Sequence, residues 1–344
     1  MADVIRVLVV DDSAYVRKVV TQMLGRSPFL EVVGTARDGE EALEIARERN
    51  PDVITTDLNM PIMDGLSFVR AQMGQKPIPI VVISIADASG EQVLAALDAG
   101  AVDFVQKPTA LATERLMDIA DELVSKVKAA AAARGRTVAA PLQVPPPLPL
   151  KRNGATAVDL IVIGVSTGGP QGLKVVVPQL PFGLPVPVAI VMHMPIGYTE
   201  LYAQKLDQQS PLHVVEAGEG QLVEAGMVFL APAGRHLTFV RSGNDVVTHL
   251  DLRPLDTPHR PAVDVLFQSA AEVYNDRVLG VVLTGMGSDG RDGAAWIKAR
   301  GGCILTESEE TCVVYGMPRS VVEAGLSDAV IPLPRIARAI MERI

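Results

Sequence analysis

Three side chains able to form a hydrolytic relay stand at separate points of the sequence, each just after a run of Val, Ile and Leu. They are Ser166 in a Gly-Val-Ser-Thr-Gly-Gly turn, His193, and Asp289 in a Gly-rich segment. A serine hydroxyl attacks a carbonyl when a base removes its proton, and the base needs an acidic partner on its other nitrogen. These residue types predict an acyl-transfer centre in which Ser166 is the nucleophile, His193 the base and Asp289 the orienting acid.

Each of the three residues also has a simpler interpretation. Ser166 could cap a helix that starts near Pro170, and His193 could be a packed core histidine. Asp289 could be a turn residue, with Asp292 as an alternative acid. Their occurrence after three apolar runs favours the relay, because the carboxyl ends of parallel strands meet at one edge of a sheet. The competing histidines lie at a strand start, in a hairpin-like stretch and in a Pro-flanked loop: His213, His236, His249 and His259.

Two other motif interpretations are less favoured. The pattern Gly164-x-Ser166-x-Gly168 matches the nucleophile elbow of α/β-hydrolases, but in that fold the acid precedes the histidine along the chain. Here the order is serine, histidine, acid. A nucleotide-binding loop is the second alternative, and no P-loop lysine directly follows the glycines of this turn.

A second set of polar residues follows the apolar runs of the first 125 residues. Asp11 and Asp12 follow the first run, and Asp57 follows the third. Ser84 ends the fourth run, and Lys107 follows the fifth. Three carboxylates at one sheet edge repel one another unless a cation joins them, and hard oxygen ligands of this kind suit Mg²⁺. A lysine and a hydroxyl beside them are donors for a phosphoryl group. The simpler alternative is that each acid is a helix cap or a turn residue.

Short apolar runs alternate with amphipathic stretches in both halves of the chain, which predicts α/β architecture. Helices are expected at about residues 15–24, 40–49 and 111–128. With five strands between them, the first half should form a five-stranded, doubly wound parallel sheet. The second half should form a mostly parallel, Rossmann-like sheet with the relay at its edge. The strands expected in the first half are residues 7–10, 31–34, 53–56, 80–83 and 102–105.

An Ala- and Pro-rich stretch separates the two halves. Such a composition cannot bury a core and is semi-extended, so we predict a linker at residues 126–154. The flanking domains are then residues 1–125 and 155–344.

Composition limits the class of protein. The net charge of −9 argues against nucleic acid as a partner. There is no apolar stretch of roughly 18–20 residues, which argues against direct membrane insertion. Two cysteines without metal-ligand spacing, Cys303 and Cys312, predict reduced thiols in a cytoplasmic protein.

The first domain strongly resembles the receiver domain of bacterial two-component response regulators. The resemblance rests on the strand-end residues above and on the segment Asp-Leu-Asn-Met-Pro-Ile-Met-Asp-Gly at 57–65. It implies that Asp57 accepts a phosphoryl group from a histidine kinase. Ser84 and Lys107 are then the switch hydroxyl and the phosphate-binding lysine, and Phe104 is the switch aromatic. The residues that it assigns to Mg²⁺ are Asp11, Asp12, Asp57 and, through its backbone carbonyl, Asn59.

The whole chain resembles the chemotaxis protein-glutamate methylesterase family. The motifs are Gly-Val-Ser-Thr-Gly-Gly, Met-His-Met-Pro, His-Arg-Pro-Ala-Val-Asp-Val-Leu-Phe at 259–267, Thr-Gly-Met-Gly-Ser-Asp-Gly and Tyr-Gly-Met-Pro at 315–318. Ser84 departs from the family pattern in being followed by Ile85 rather than a small residue, and the linker is unusually long and Pro-rich. The resemblance implies a phosphorylation-activated serine hydrolase that demethylates glutamate γ-methyl esters of chemoreceptors and deamidates receptor glutamines. A chemotaxis histidine kinase would be the phosphodonor.

The chemistry that follows needs no cofactor at the relay, so Mg²⁺ is expected only at the phosphorylation site. Ser166 attacks the ester, His193 transfers the proton to methanol, and the backbone amides of Met286 and Thr167 are the candidate oxyanion donors. Two alternatives stay open: a phosphorylation-controlled interaction module without catalysis, and an esterase that acts on small metabolites.

Overall fold

The structure is a computed structural model that describes residues 4–85, 90–107, 119–133, 146–149 and 157–344. The chain divides into two compact units, Met1–Pro141 and Leu142–Ile344. Each unit is an α/β structure built on its own parallel sheet. The predicted fold class is therefore confirmed for both halves.

The first unit contains a five-stranded parallel sheet in the order β2-β1-β3-β4-β5. This order places β1 and β3 side by side in the middle, so the loops that follow them open at the same edge. All four residues of β3 are buried, as expected for a strand with helices on both faces. The strands are β1 Ile5–Val10, β2 Leu30–Ala36, β3 Val53–Thr56, β4 Ile80–Ile85 and β5 Asp103–Lys107.

The helices of this unit begin where short polar side chains can accept their first amides. Ser13, Asp38 and Asp64 are the N-caps of the first three helices, and each accepts a hydrogen bond from an amide three residues on. The helices are α1 Ala14–Leu24, α2 Gly39–Arg49, α3 Gly65–Gln75, α4 Gly90–Asp98 and α5 Ala120–Ala132.

The predicted helix at 111–128 overlaps α5, and residues 111–118 lie outside the described part of the chain. Because α5 continues to Ala132, the first residues of the predicted linker, 126–154, are helical. Its Pro-rich centre is described only at residues 146–149. The domain bounds stay a prediction.

The second unit contains a seven-stranded parallel sheet in the order β14-β13-β12-β6-β7-β9-β8. Its three central strands, β12, β6 and β7, are completely buried. Their continuous apolar sequences reflect helices on both faces of the sheet. The strands are β6 Leu160–Val165, β7 Val188–Met192, β8 His213–Glu216, β9 Met227–Leu230, β12 Val278–Val282, β13 Cys303–Glu307 and β14 Ala329–Ile331.

An antiparallel hairpin stands outside this sheet. It consists of β10 His236–Ser242 and β11 Asp245–Asp251, and α8 packs against it. The chain then returns through α8 to β12 in the middle of the sheet. The helices of this unit are α6 Gly169–Val176, α7 Thr199–Asp207, α8 Val263–Tyr274, α9 Arg291–Ala299, α10 Met317–Glu323 and α11 Leu333–Met341.

Among the described residues, no helix combines the length and the apolar character that crossing a membrane requires. Neither Cys303 nor Cys312 forms a disulfide bond.

Candidate active site and acidic cluster

The second sheet brings Ser166, His193 and Asp289 into one hydrogen-bonded chain. His193 Nδ1 lies 3.1 Å from Ser166 Oγ, and His193 Nε2 lies 2.8 Å from Asp289 Oδ2. The carboxylate can only accept, so Nε2 carries the proton and the lone pair of Nδ1 faces the serine hydroxyl. This tautomer is the one that can remove the serine proton.

Strand pairing explains the proximity of the three residues. Ser166 follows β6, His193 follows β7, and Asp289 lies in the loop after β12, on the other side of β6. The last residues of β6 and β7 are paired, so Ser166 and His193 leave the sheet at the same level. The strand order reverses at β6, and such a reversal point is where α/β sheets bind ligands.

The turn that carries Ser166 is fixed by its backbone. The Ser166 amide donates to the Thr284 carbonyl at 3.0 Å, and the Gly169 amide donates to the Ser166 carbonyl. Gly168 has a φ of 78°, and an added Cβ would lie 2.6 Å from Val313 side-chain atoms. A glycine is therefore required here by both conformation and space.

The orienting acid, Asp289, accepts hydrogen bonds from three sources. Its Oδ2 also accepts the Val263 amide at 2.8 Å, and its Oδ1 accepts the Asp264 amide at 2.9 Å, both at the start of α8. Burial alone would raise the pKa of Asp289, but the hydrogen bond and charge of His193, together with these amides, hold the pKa below its ordinary value. Asp289 is thus an ionised, rigidly held partner for the imidazole.

A second carboxylate, Asp264, mirrors this arrangement. Its Oδ1 accepts the amides of Gly290 and Gly293 at 2.8 and 2.7 Å, at the start of α9. The two acids therefore cap each other's helices. Burial, with the nearby charges of Asp289 and Asp292, raises the pKa of Asp264 to about 6. No sequence pattern singled out Asp264, although it lies in the 259–267 motif.

Behind the serine turn, Thr284 connects several backbone segments. Its hydroxyl donates to the Thr167 carbonyl and accepts the Val314 amide, both at 3.0 Å. Its own amide donates at 2.8 Å to Glu307, whose side chain is fully buried. Burial raises the pKa of Glu307. Sequence reasoning missed both residues, and a charged residue at the end of the apolar strand β13 was the available signal for Glu307.

The candidate oxyanion residues flank the serine. Thr167 follows it directly, and Met286 follows Gly285, where an added Cβ would lie 2.9 Å from Ser166 Cβ. The Met286 amide donates no hydrogen bond within the part of the chain that the structure describes. Their role as oxyanion donors stays a prediction.

The competing side chains lie elsewhere or are engaged otherwise. His213 pairs with Asp207 at the start of β8, and His249 pairs with Glu219 beside the hairpin. Asp292 is exposed and pairs with its neighbour Arg291. The rival histidine His236 is buried at the start of β10, and His259 stacks on His193.

The first sheet brings together the acids expected at its edge. Ligand atoms of Asp11, Asp12 and Asp57 all lie within 4.8 Å of one another. Lys107 Nζ lies 2.6 Å from Asp11 Oδ2 and 3.1 Å from Asp57 Oδ1. The lysine, Asp11 and Asp57 are buried, whereas Asp12 is exposed. Burial raises the pKa of Asp57, although Lys107 opposes that effect.

This cluster fits a hard divalent cation. Asp57 Oδ1 is buried and accepts no properly directed hydrogen bond from the described residues, so it has a coordination site to offer. The start of α3 also packs tightly here, because a Cβ at Gly65 would lie 2.0 Å from the Asp57 carbonyl oxygen. Carboxylate oxygens around an open position are the ligands that Mg²⁺ uses.

The remaining predicted residues of this edge are placed as follows. Ser84 is fully buried near the end of β4, and Phe104 is buried in β5. Asn59 is exposed in the loop after Asp57. Residues 86–89 lie outside the described part, and so does the side chain of Ile85, so the consequence of its departure from the family pattern stays untested. The switch roles and the carbonyl ligand stay predictions.

Two protein families match the chain. The CheB methylesterase family model matches residues 161–340, and the response regulator receiver domain model matches residues 7–121. The described geometry of each site lies within the corresponding match.

Individual relatives agree over nearly the full length. A protein-glutamate methylesterase/protein-glutamine glutaminase of Myxococcus xanthus is 50% identical over 96% of this chain and 95% of its own. A protein of the same description from Symbiobacterium thermophilum is 44% identical over 99% of this chain and 97% of its own. The crystal structure of the Thermotoga maritima CheB methylesterase catalytic domain has a TM-score of 0.53 and 42% identity, and covers 54% of this chain and 99% of that one.

Proposed function

We propose, because this chain belongs to the CheB methylesterase family, that it is a phosphorylation-activated serine hydrolase of chemoreceptor adaptation. Its substrates are glutamate γ-methyl esters on chemoreceptors, and receptor glutamines are deamidated at the same site. The observation that carries the proposal is the hydrogen-bonded chain from Ser166 through His193 to Asp289. Residues 155–344 form the catalytic domain, residues 1–125 the receiver and residues 126–154 the linker.

The first half of the reaction is acylation. Ser166 Oγ attacks the ester carbonyl while His193 Nδ1 takes its proton, and the resulting imidazolium is stabilised by ionised Asp289. We assign the amides of Met286 and Thr167 as the donors that stabilise the oxyanion. His193 then gives the proton to departing methanol, which leaves an acyl ester on Ser166.

The second half is hydrolysis of that ester. Water gives a proton to His193 and attacks the acyl carbon, and Ser166 leaves with the proton from the same imidazole. The product is the free glutamate carboxylate. A glutamine substrate differs only in releasing ammonia in place of methanol, so the same groups serve both reactions. The chemistry is complete with side chains and backbone amides, and we assign no cofactor to this centre.

Control resides in the receiver. We assign Asp57 as the acceptor of a phosphoryl group from a chemotaxis histidine kinase, and Lys107 as a cation that binds its oxygens. Asp11, Asp12 and Asp57, with the Asn59 carbonyl, would hold Mg²⁺, which supplies charge neutralisation for phosphoryl transfer. Ser84 and Phe104 are the groups that sense the phosphoryl group. We also propose that this activity is cytoplasmic.

Methanol release from methylated receptor tests the proposal. Ser166→Ala should lower the rate by about 10⁴-fold or more, as expected when a serine nucleophile is removed. Ser242→Ala, at the exposed end of β10, is the matched control and should keep wild-type activity. Near-wild-type methanol release by Ser166→Ala would contradict the proposal, and so would a wild-type protein that releases none with a phosphodonor present.

A further inference from the structure

The face of the general base is covered by a second imidazole. His259 stacks on His193 with 4.0 Å between ring centroids and 24° between ring planes. The two nitrogens of His193 are engaged by Ser166 and Asp289, and its side chain is only 9% exposed. His259 itself is exposed. The base of the reaction is therefore in contact with another titratable ring that solvent can reach.

The loop that carries this second ring is fastened at several points. The Gly234 amide donates to the Arg260 carbonyl at 2.9 Å. His236 is fully buried; its Nδ1 accepts the Ala262 amide at 3.2 Å, and its Nε2 lies 3.2 Å from the Pro254 carbonyl oxygen. Because Nδ1 accepts, Nε2 holds the single proton and donates it. Burial lowers the pKa of His236, so the neutral ring keeps both of these hydrogen bonds at neutral pH.

We propose that His259 is a positioning residue for the general base, an inference that rests on the proposed esterase activity. Its neutral ring keeps the His193 imidazole in the plane that joins Ser166 Oγ to Asp289. Protonated His259 opposes proton transfer from the serine, because that transfer would place two cationic rings in contact. His259 forms no bond to substrate: the proton moves only from Ser166 to His193 and then to the leaving group.

The charged groups around the pair come from several elements. Asp289, in the loop after β12, is hydrogen-bonded to His193, and Asp264 at the start of α8 donates its amide to Asp289. Arg260 is next to His259 in its own loop, where it disfavours a second positive charge.

The test is the pH dependence of kcat/KM for methanol release, measured with the full chain and a phosphodonor between about pH 5 and 9. His259→Phe keeps a flat ring and removes the charge. It should retain kcat/KM within about 3-fold at high pH, and its acid limb should move to lower pH, because the variant has no second ring to protonate. His259→Ala removes the stacking surface and should lose about 10-fold or more at every pH.

His213→Phe is the control, because that exposed histidine starts β8 at the opposite edge of the sheet. Its profile should match the wild type. Superimposable profiles for wild type and His259→Phe would overturn the inference, as would a uniform loss without change of the acid limb. A thermal melt of each variant shows whether it folds. If His259→Ala does not fold, the pH profile of His259→Phe alone tests the inference. Failure of the proposed function is distinct, since wild-type protein would release no methanol or Ser166→Ala would remain active.

Discussion

The two sheet edges of this protein use aspartates in opposite ways. At the first edge, Asp57 is buried with an oxygen that accepts no properly directed hydrogen bond, and a lysine lies nearby. At the second, Asp289 is satisfied by two helix amides and an imidazole. Both acids stand at the carboxyl end of a parallel sheet. The difference is in what each acid would still bind: in the proposed function the first takes up a cation and a phosphoryl group from outside, whereas the hydrogen bonds of the second are already made.

That difference also appears in the pKa directions. Burial prevails at Asp57 and raises its pKa. At Asp289 the hydrogen bond and charge of His193 prevail over burial and lower the pKa. An acid that keeps an open coordination position is suited to being modified, whereas one whose oxygens are fully hydrogen-bonded is suited to holding a base in place.

The largest effect is expected from Asp289→Asn. The amide group is almost isosteric, but it no longer provides the charge that stabilises the imidazolium and fixes its tautomer. We expect kcat for methanol release to fall by about 10⁴-fold, as in other serine triads. Asp292→Asn, on the exposed neighbour, should change little. A loss of less than about 10-fold for Asp289→Asn would mean that Asp289 is no more than a structural cap.

Asp57→Asn should change only the activation of methanol release by phosphorylation. The variant should keep the basal rate of methanol release, while the ratio of rates with and without phosphodonor falls to about one, because no acceptor for the phosphoryl group remains. Asp64→Asn is a matched control in the same loop, since asparagine caps α3 equally well. Chelation by EDTA should likewise abolish activation and spare the basal rate. Activation of Asp57→Asn to the wild-type level would remove Asp57 from the control mechanism.

A smaller effect is expected from Thr284→Val. The change removes the hydrogen bonds that the buried hydroxyl donates to the Thr167 carbonyl and accepts from the Val314 amide, at a cost of about 1–3 kcal/mol in unfolding free energy. Because the same hydroxyl positions the serine turn, kcat should also fall by about 10-fold. Thr238→Val removes a comparable hydroxyl from the hairpin, where it donates to the His249 carbonyl. That control should lose stability alone. Equal kcat values for the two variants would show that the Thr284 hydroxyl does not contribute to catalysis.

The smallest effect is expected at Asp264, the second carboxylate, which caps α9. Its pKa is raised from 3.8 to about 6, so its protonated form stabilises the fold fully below about pH 4. That contribution is lost as the pH rises through about 6. Asp264→Asn keeps an oxygen acceptor for α9 and cannot ionise. Relative to wild type, its melting temperature should therefore gain about 2–4 °C between pH 4 and pH 7. If the melting temperature of the wild type instead rose relative to Asp264→Asn over that range, the ionised carboxylate would stabilise α9 by more than its burial costs.

Much of the fold and of the candidate site could be predicted from the sequence, because buried parallel strands are continuous apolar runs. The residues that follow such runs must converge at one edge, which is why Ser166, His193 and Asp289 could be found together. The order of seven strands could not be predicted, because β8 and β9 have only four residues each and pairing is decided by tertiary packing. The mutual capping by Asp264 was also inaccessible, since it depends on how two helix starts meet.

The histidines illustrate the same limit. In the sequence His259 is only a weaker rival of His193 as the base, and only the return of the chain through the hairpin stacks one ring on the other. His236 looks like an ordinary strand residue, but it is buried and its ring accepts the amide of Ala262 in the loop that carries His259. Spacing along the chain identifies which residues reach an edge, whereas loop geometry decides what each does there.

Covalent labelling with a fluorophosphonate tests the central claim most directly, because the reagent captures a serine only when a positioned base activates it. Peptide mapping of the labelled full chain should place one adduct on Ser166, with labelling slower by about 100-fold or more in Asp289→Asn. An adduct on another residue, or no adduct on a protein that still releases methanol, would contradict the account.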